Sequence, residues 1–250
     1  MRTVQKIESL RHPMVLHWVK LRTDVNYRLQ QQMLLLEGSK PISELTIPID
    51  KIIYTAAYET QANALKANQK YQISNAIVQK ISGAKEPEGL LVEVKMPSFS
   101  TLSSHHNRIL ALDGINDPGN LGTLLRTALA FGWSTIYFLP GCCDLFNDKT
   151  LRAARGAHFK LNLIKGSFAQ LHLWTTEQNV QALVADLAGM KLEAVPLAQR
   201  RLLVLGNEAH GPQKAIREFC TPVTIAIDAN AMESLNVAVA GGIMLHFLAH

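Results

Sequence analysis

From residue 108 onward, short apolar runs alternate with helix-patterned stretches, and that alternation constrains the fold more than any other feature of the 250 residues. The runs at 109–112, 135–139, 161–164, 180–185, 202–205 and 224–227 have strand length, and helix patterns fill 121–132, 149–154 and the stretch from Ser234 to the C-terminus. Runs that are apolar nearly throughout need cover on both faces, which is the condition of a mostly parallel sheet between helices. The expected class is α/β. Ligands in such sheets sit beyond the carboxyl ends of the strands, so the loops that follow the runs are where chemistry is expected.

The first part of the chain reads differently. Helix patterns cover 13–21 and run from Tyr27 through the apolar run Met33–Leu36, which either continues that helix or turns into a strand before Gly38. Strands are expected at 52–55 and 90–94, with a polar-faced helix at 60–71 between them. The polar stretch from Pro97 to Asn107, PSFSTLSSHHN, divides the two patterns. This gives a small α/β domain at 1–96, a linker at 97–107 and a larger domain at 108–250.

Composition excludes several classes. At 48% hydrophobic and 18% charged residues, disorder is ruled out and each domain has enough material for a core. The longest apolar stretch, Val237–Ala249, is broken by His246 and falls short of the roughly 20 residues of a membrane span. The first residues, MRTVQKIESLRHP, lack an apolar core, so no secretory signal is expected. Cys142 and Cys143 are adjacent and Cys220 is alone, which offers neither a disulfide framework nor a metal-ligand spacing. A reducing, cytoplasmic location without membrane or metal is the expectation. Residues 1–95 carry 13 Lys and Arg against 9 Asp and Glu, which locates most of the net charge of +5 there. Arg11, Lys20 and Arg28 belong to that excess, which fits either a phosphate-bearing partner or a solvated helix face.

Three post-strand loops are rich in Gly, Asn and acidic residues. The first, Asp113 to Arg126, reads DGINDPGNLGTLLR; Asn120 is a plausible cap for the helix that follows. On that helix Leu121, Leu124, Leu125, Ala128 and Leu129 share one stripe, which leaves Arg126 on the other side with Thr123, as a surface or a functional residue. The second, Leu202 to Pro212, carries Gly206, Glu208, His210 and Gly211; small residues let a ligand approach the backbone, and Glu208 can equally serve a helix end. The third runs from Ile225 to Asn236, where Ser234 or Asn230 could cap the last helix. That helix, apolar around most of its girth, must be buried on several sides, and Gly241-Gly242 suggests close approach of another backbone, such as a second subunit.

In this order the loops resemble the three motifs of the SpoU (TrmH) RNA ribose 2'-O-methyltransferases of the SPOUT superfamily. The matching segments are Asn120-Leu-Gly-Thr-Leu-Leu-Arg126, Gly206-x-Glu208-x-x-Gly211 and Ser234-Leu235-Asn236-Val237. Met33-Leu-Leu-Leu-Glu-Gly38 is similar to the family's apolar-Glu-Gly segment in its small RNA-binding domain, which is built like a ribosomal protein. The resemblance implies a deep trefoil knot in the second domain, a homodimer, and S-adenosylmethionine held by loops around Gly206, Ile227 and Leu235. It implies that Arg126, Asn120, Glu208, Ser234 and Asn236 form the reacting site, with RNA as substrate, rRNA rather than tRNA. A guanidinium stays protonated at any working pH, so Arg126 is expected to act as a cation on a phosphate and a forming alkoxide. Lys149, Arg152, Arg155 and Lys160 could extend the RNA surface or simply be solvated. Asp228 stands where the family usually has Pro, and Ala154 where a small hydroxyl residue is common. The competing reading is an RNA-binding or ribosome-assembly protein of this architecture without turnover.

Overall fold

The computed structural model describes residues 4–228 and 230–249. The chain forms two units, one comprising residues up to 97 together with 146–159, the other 98–145 with 160 onward. The expected boundaries were continuous after the linker; the segment 146–159 instead packs with the first unit.

The first unit contains β1 (Val4–Ile7), α1 (Pro13–Thr23), α2 (Val25–Gln31), β2 (Met33–Glu37), α3 (Ser39–Ser43), β3 (Ile49–Tyr54), α4 (Glu59–Ala64), β4 (Ala67–Ile73), α5 (Asn75–Ile81) and β5 (Leu90–Lys95). Its sheet has the order β1-β4-β3-β5-β2, parallel through β1, β4 and β3, and antiparallel at β5 and β2. Trp18, Ile53, Tyr71, Ile77 and Leu91 fill the core on one face. The helix expected at 60–71 is a correction: it ends at Ala64, and Ala67–Ile73 is a central strand. The polar start of β4 hides its period of two, which becomes visible only at Tyr71 and Ile73, where the side chains turn inward.

The second unit contains β6 (Arg108–Leu112), α6 (Pro118–Ala130) and β7 (Thr135–Phe138). After α7 (Asp148–Ala154), which belongs to the first unit, it continues with β8 (Asn162–Lys165), α8 (Phe168–Glu177), β9 (Gln181–Lys191), β10 (Arg201–Leu205), α9 (Lys214–Phe219), β11 (Thr221–Thr224) and α10 (Val237–Phe247). The order β11-β9-β10-β6-β7-β8 is parallel throughout. Leu112 pairs with both Leu205 and Phe138, so the loops after β6, β7 and β10 leave the sheet at one level. Helices α8 and α9 were not anticipated, and the last strand lies at Thr221–Thr224, three residues earlier than expected, which frees 225–227 to be loop.

Helix α6 begins with Pro118 at its first turn and with Asp117 as the cap, whose carboxylate accepts from Asn120 N at 2.7 Å. Asn120 is therefore not the cap; it is freed to use its side chain elsewhere. Leu121, Leu124, Leu125 and Ala128 are fully buried, each Leu contributing about 1.5–3 kcal/mol of burial free energy. Helix α10 starts at Val237 rather than Ser234, because Asn236 is the cap and accepts from Ala238 N and Val239 N. A Cβ at Gly241 would lie 2.5 Å from Leu124 Cδ2 and 2.6 Å from Leu205 Cδ1. The close approach that this glycine permits is thus to two core leucines of its own domain, not to a second backbone. In the single chain one face of α10 is exposed: Val239, Ile243 and Phe247 recur every fourth residue on it.

Candidate active site

The loop after β10 turns back at once. A Cβ at Gly206 would overlap Pro212 N and the Gly211 carbonyl carbon, so only glycine lets the loop fold against its own root. Gly211 itself sits at φ +66°, and Asn207 and Gly211 pair as an antiparallel bridge. Asn207 Nδ2 donates to Gly114 O at 2.8 Å, and the nearly buried Asp113 accepts from Gln213 N at 2.9 Å and Nε2 at 2.5 Å. Both ends of the loop are in this way fastened to the end of β6.

Beside it lies a cleft of about 610 Å³, in the usual size range of small-molecule sites. Its walls are residues 185–187, 205–212 and a third stretch that includes Ile225, Ile227, Ser234, Leu235 and Asn236. All three residues expected to hold the cofactor, Gly206, Ile227 and Leu235, line it, as do Glu208, Ser234 and Asn236. Next to the cleft, Asn120 Nδ2 donates to Glu208 Oε1 at 3.1 Å, and Asn236 Nδ2 donates to Asn120 Oδ1 at 3.1 Å. One hydrogen-bonded chain therefore joins the first turn of α6, the loop after β10 and the cap of α10. Each member came from a different sequence motif.

The other candidates fall out differently. Arg126 is on the exposed face of α6, outside the lining of the cleft, and makes no hydrogen bond or ion pair among the described residues. Ser234 is exposed and does not cap the helix. Asp228 is exposed and organises its own turn, accepting at Oδ1 from Asn230 N and at its carbonyl from Ala231 N and Met232 N. In the first unit Arg11 and Lys20 are exposed, and Lys20 lies over the Tyr27 ring. Arg28 is a correction: it is 2% exposed and donates through Nη1 to Leu21 O and Arg22 O, closing the end of α1. Such a charge is bound to carbonyls and does not face solvent. Arg152 pairs with Asp148 at 2.9 Å, and Arg155 is half-buried at φ 49°. Sequence reasoning missed Asp113 and Gln213, whose separation of 100 residues left no local signal.

Comparison with known proteins bears on this geometry. Residues 107–246 match the SpoU rRNA Methylase family, a span that contains every member of the hydrogen-bonded chain. The chain belongs to that family. Residues 12–92 match the MRM3-like substrate binding domain. Among the relatives is the 23S rRNA (guanosine(2553)-2'-O)-methyltransferase RlmP of Bacillus subtilis, 28% identical over 250 residues, covering 98% of this chain and 99% of the relative. Another is the 23S rRNA (guanosine-2'-O-)-methyltransferase RlmB of Salmonella typhi, 30% identical, covering 76% of this chain and 80% of the relative. Among solved structures, an AdoMet-bound rRNA methyltransferase from Sinorhizobium meliloti superimposes with a TM-score of 0.84 at 25% identity, covering 98% of this chain and 97% of that one. The α/β architecture with its parallel sheet is shared with that solved structure.

Proposed function

We propose that this protein transfers a methyl group from S-adenosylmethionine to a ribose 2'-hydroxyl of RNA, with rRNA as the substrate. The observation that carries this reading is the Glu208–Asn120–Asn236 hydrogen-bond chain, which fastens the three family motifs together at the rim of the cleft.

The cleft fits the cofactor: the Gly206 cradle brings bare backbone to its wall, Ile227 and Leu235 supply apolar surface, and Asp186, Glu208 and Glu233 place carboxylates around a cationic guest. When bound, S-adenosylmethionine supplies an electrophilic methyl group on a sulfonium. The protein's own residues do the rest by position. Asn120 and Asn236 fix the loop carrying Glu208 relative to both helices, so the walls keep one shape. Arg126, permanently cationic, stabilises the negative charge that develops on the ribose oxygen and holds an adjoining phosphate. Its exposed position on α6, beside Thr127 where α10 packs, and the bare stripe Val239, Ile243 and Phe247 on α10 support a homodimer in which Arg126 serves the neighbouring subunit's cleft. The knotted path of the chain through the 206–236 region is part of the same reading, as are an RNA grip by Arg11, Lys20, Arg152 and Arg155 and a cytoplasmic location, supported by three free cysteines.

The test is methyl transfer to rRNA with purified protein, together with mapping of ribose methylation in cells that lack it. Arg126→Ala is expected to lower kcat by about 10²–10³-fold with donor binding unchanged. Arg126→Lys should recover little and show no rise in activity near the lysine pKa of about 10.4. A Lys variant with near-wild-type turnover and such a rise would assign proton abstraction to this position instead. Absence of any donor binding by the wild-type protein would favour the RNA-binding scaffold without turnover.

A further inference from the structure

The loop after β10 is fastened at both ends to β6, through Asn207 to Gly114 and through Gln213 to Asp113. Its middle, His210 to Pro212, is held from the other side by one side chain. Arg217 on α9 donates through Nε to Pro212 O at 2.9 Å and through Nη2 to His210 O at 3.3 Å. The same Nε lies 3.8 Å from Asp186 Oδ2. Asp186 lies within β9 where its register with β11 shifts, between Val184, paired with Pro222, and Met190, paired with Val223, and its Oδ1 accepts from Ala188 N at 3.0 Å. Residues 185–187 and 205–212 are two walls of the cleft, and Arg217 bridges them.

We propose that Arg217 is a positioning residue for the methyl donor: its guanidinium fork pins the carbonyls of His210 and Pro212 and links that loop to Asp186 on β9, which fixes the width of the cleft before the donor enters. The proposal rests on the reading of the cleft as the S-adenosylmethionine site. A guanidinium suits the task because its planar fork holds two acceptors in a set geometry, whereas an ammonium on a flexible stem cannot fix both. The benefit is preorganisation: a loop already ordered does not spend binding free energy on being ordered. The effect therefore belongs to donor affinity and not to the chemical step.

Calorimetry with S-adenosylmethionine and methyl-transfer kinetics on wild type, Arg217→Ala and Arg217→Lys test it, each with a thermal unfolding curve. Arg217→Ala is expected to weaken donor Kd and raise donor KM by about tenfold, the scale of one charge-assisted hydrogen bond, while kcat stays within about twofold. Arg217→Lys should recover part of the affinity. The side chain is 47% exposed, so the melting temperature should hardly move. Unchanged donor affinity in folded Arg217→Ala, or a fall in kcat alone, would overturn the proposal. Should the alanine variant not fold, wild-type affinity in the lysine variant would do the same. A wild-type protein that binds no donor would overturn the cofactor reading itself along with this inference, an outcome separate from a wild type that binds and an Arg217→Ala that binds equally well.

Discussion

Two neighbouring glycines in α10 show how much one atom decides. A Cβ at Gly241 meets Leu124 and Leu205, both fully buried, at 2.5–2.6 Å, whereas at Gly242 its nearest neighbour is Thr127 Cγ2 at 3.6 Å. Gly242→Ala should stabilise the protein by up to about 1 kcal/mol through helix propensity. Gly241→Ala gains the same propensity but must move packed leucines, at a cost of about 1–3 kcal/mol, so it should be the less stable of the two in urea unfolding. The sequence marked both glycines as points of close approach and could not separate them, because the distinction lies in which side chains arrive from residues 124 and 205. Arg28 teaches the same lesson from the opposite direction. Its place in a basic run suggested a nucleic-acid contact, but it is buried and its Nη1 is taken up by two backbone carbonyls of α1.

At the scale of elements, β5 carries a carboxylate in its middle where periodicity would place an apolar residue. Glu93 is 1% exposed, accepts from Trp18 Nε1 at 3.1 Å and Lys51 Nζ at 2.7 Å, and has His17 Nε2 at 3.2 Å. Burial alone would push its carboxyl up; the neighbouring His17 and Lys51 outweigh burial and hold it below its ordinary 4.5. A folded-state pKa below the unfolded one means that the ionised form stabilises the fold, fully above about pH 4.5, with the contribution lost as pH falls further. Glu93→Gln should cost about 1–3 kcal/mol at neutral pH, since Lys51 keeps Asp50 at 2.6 Å but loses the buried one of its two carboxylate partners, and should flatten the fall in urea midpoint below pH 5. An unchanged acid dependence in that variant would contradict this assignment. The helix expected over 60–71 failed for a related reason: β4 is placed by two parallel neighbours, β1 and β3, whose pairing overrides the local preference of a polar segment.

For the whole molecule, the bare face of α10 and the exposed guanidinium of Arg126 make one prediction. Ile243→Glu should turn a dimer into a monomer in light scattering, keep donor binding in calorimetry, and lose methyl transfer because the partner's arginine is withdrawn. A monomeric wild type, or an Ile243→Glu monomer with full activity, would set aside the shared site. Affinity for rRNA should fall at least about tenfold between 50 and 200 mM salt, as expected when lysines and arginines displace counterions.

The sequence by itself determined the layered α/β class, the loops that carry the site and the small residues at their tight points, because apolar runs of strand length and glycine or asparagine turns are local properties. It also carried the family motifs, since those are short strings. Only the tertiary structure decided that Asn120 leaves the helix cap to Asp117 and joins Glu208 to Asn236, that Asp113 holds Gln213 100 residues away, and that the stretch 146–159 packs with the first unit. Each of these is a contact between distant parts of the chain, and side-chain geometry across a parallel sheet is set by register and packing, which no local window of sequence contains.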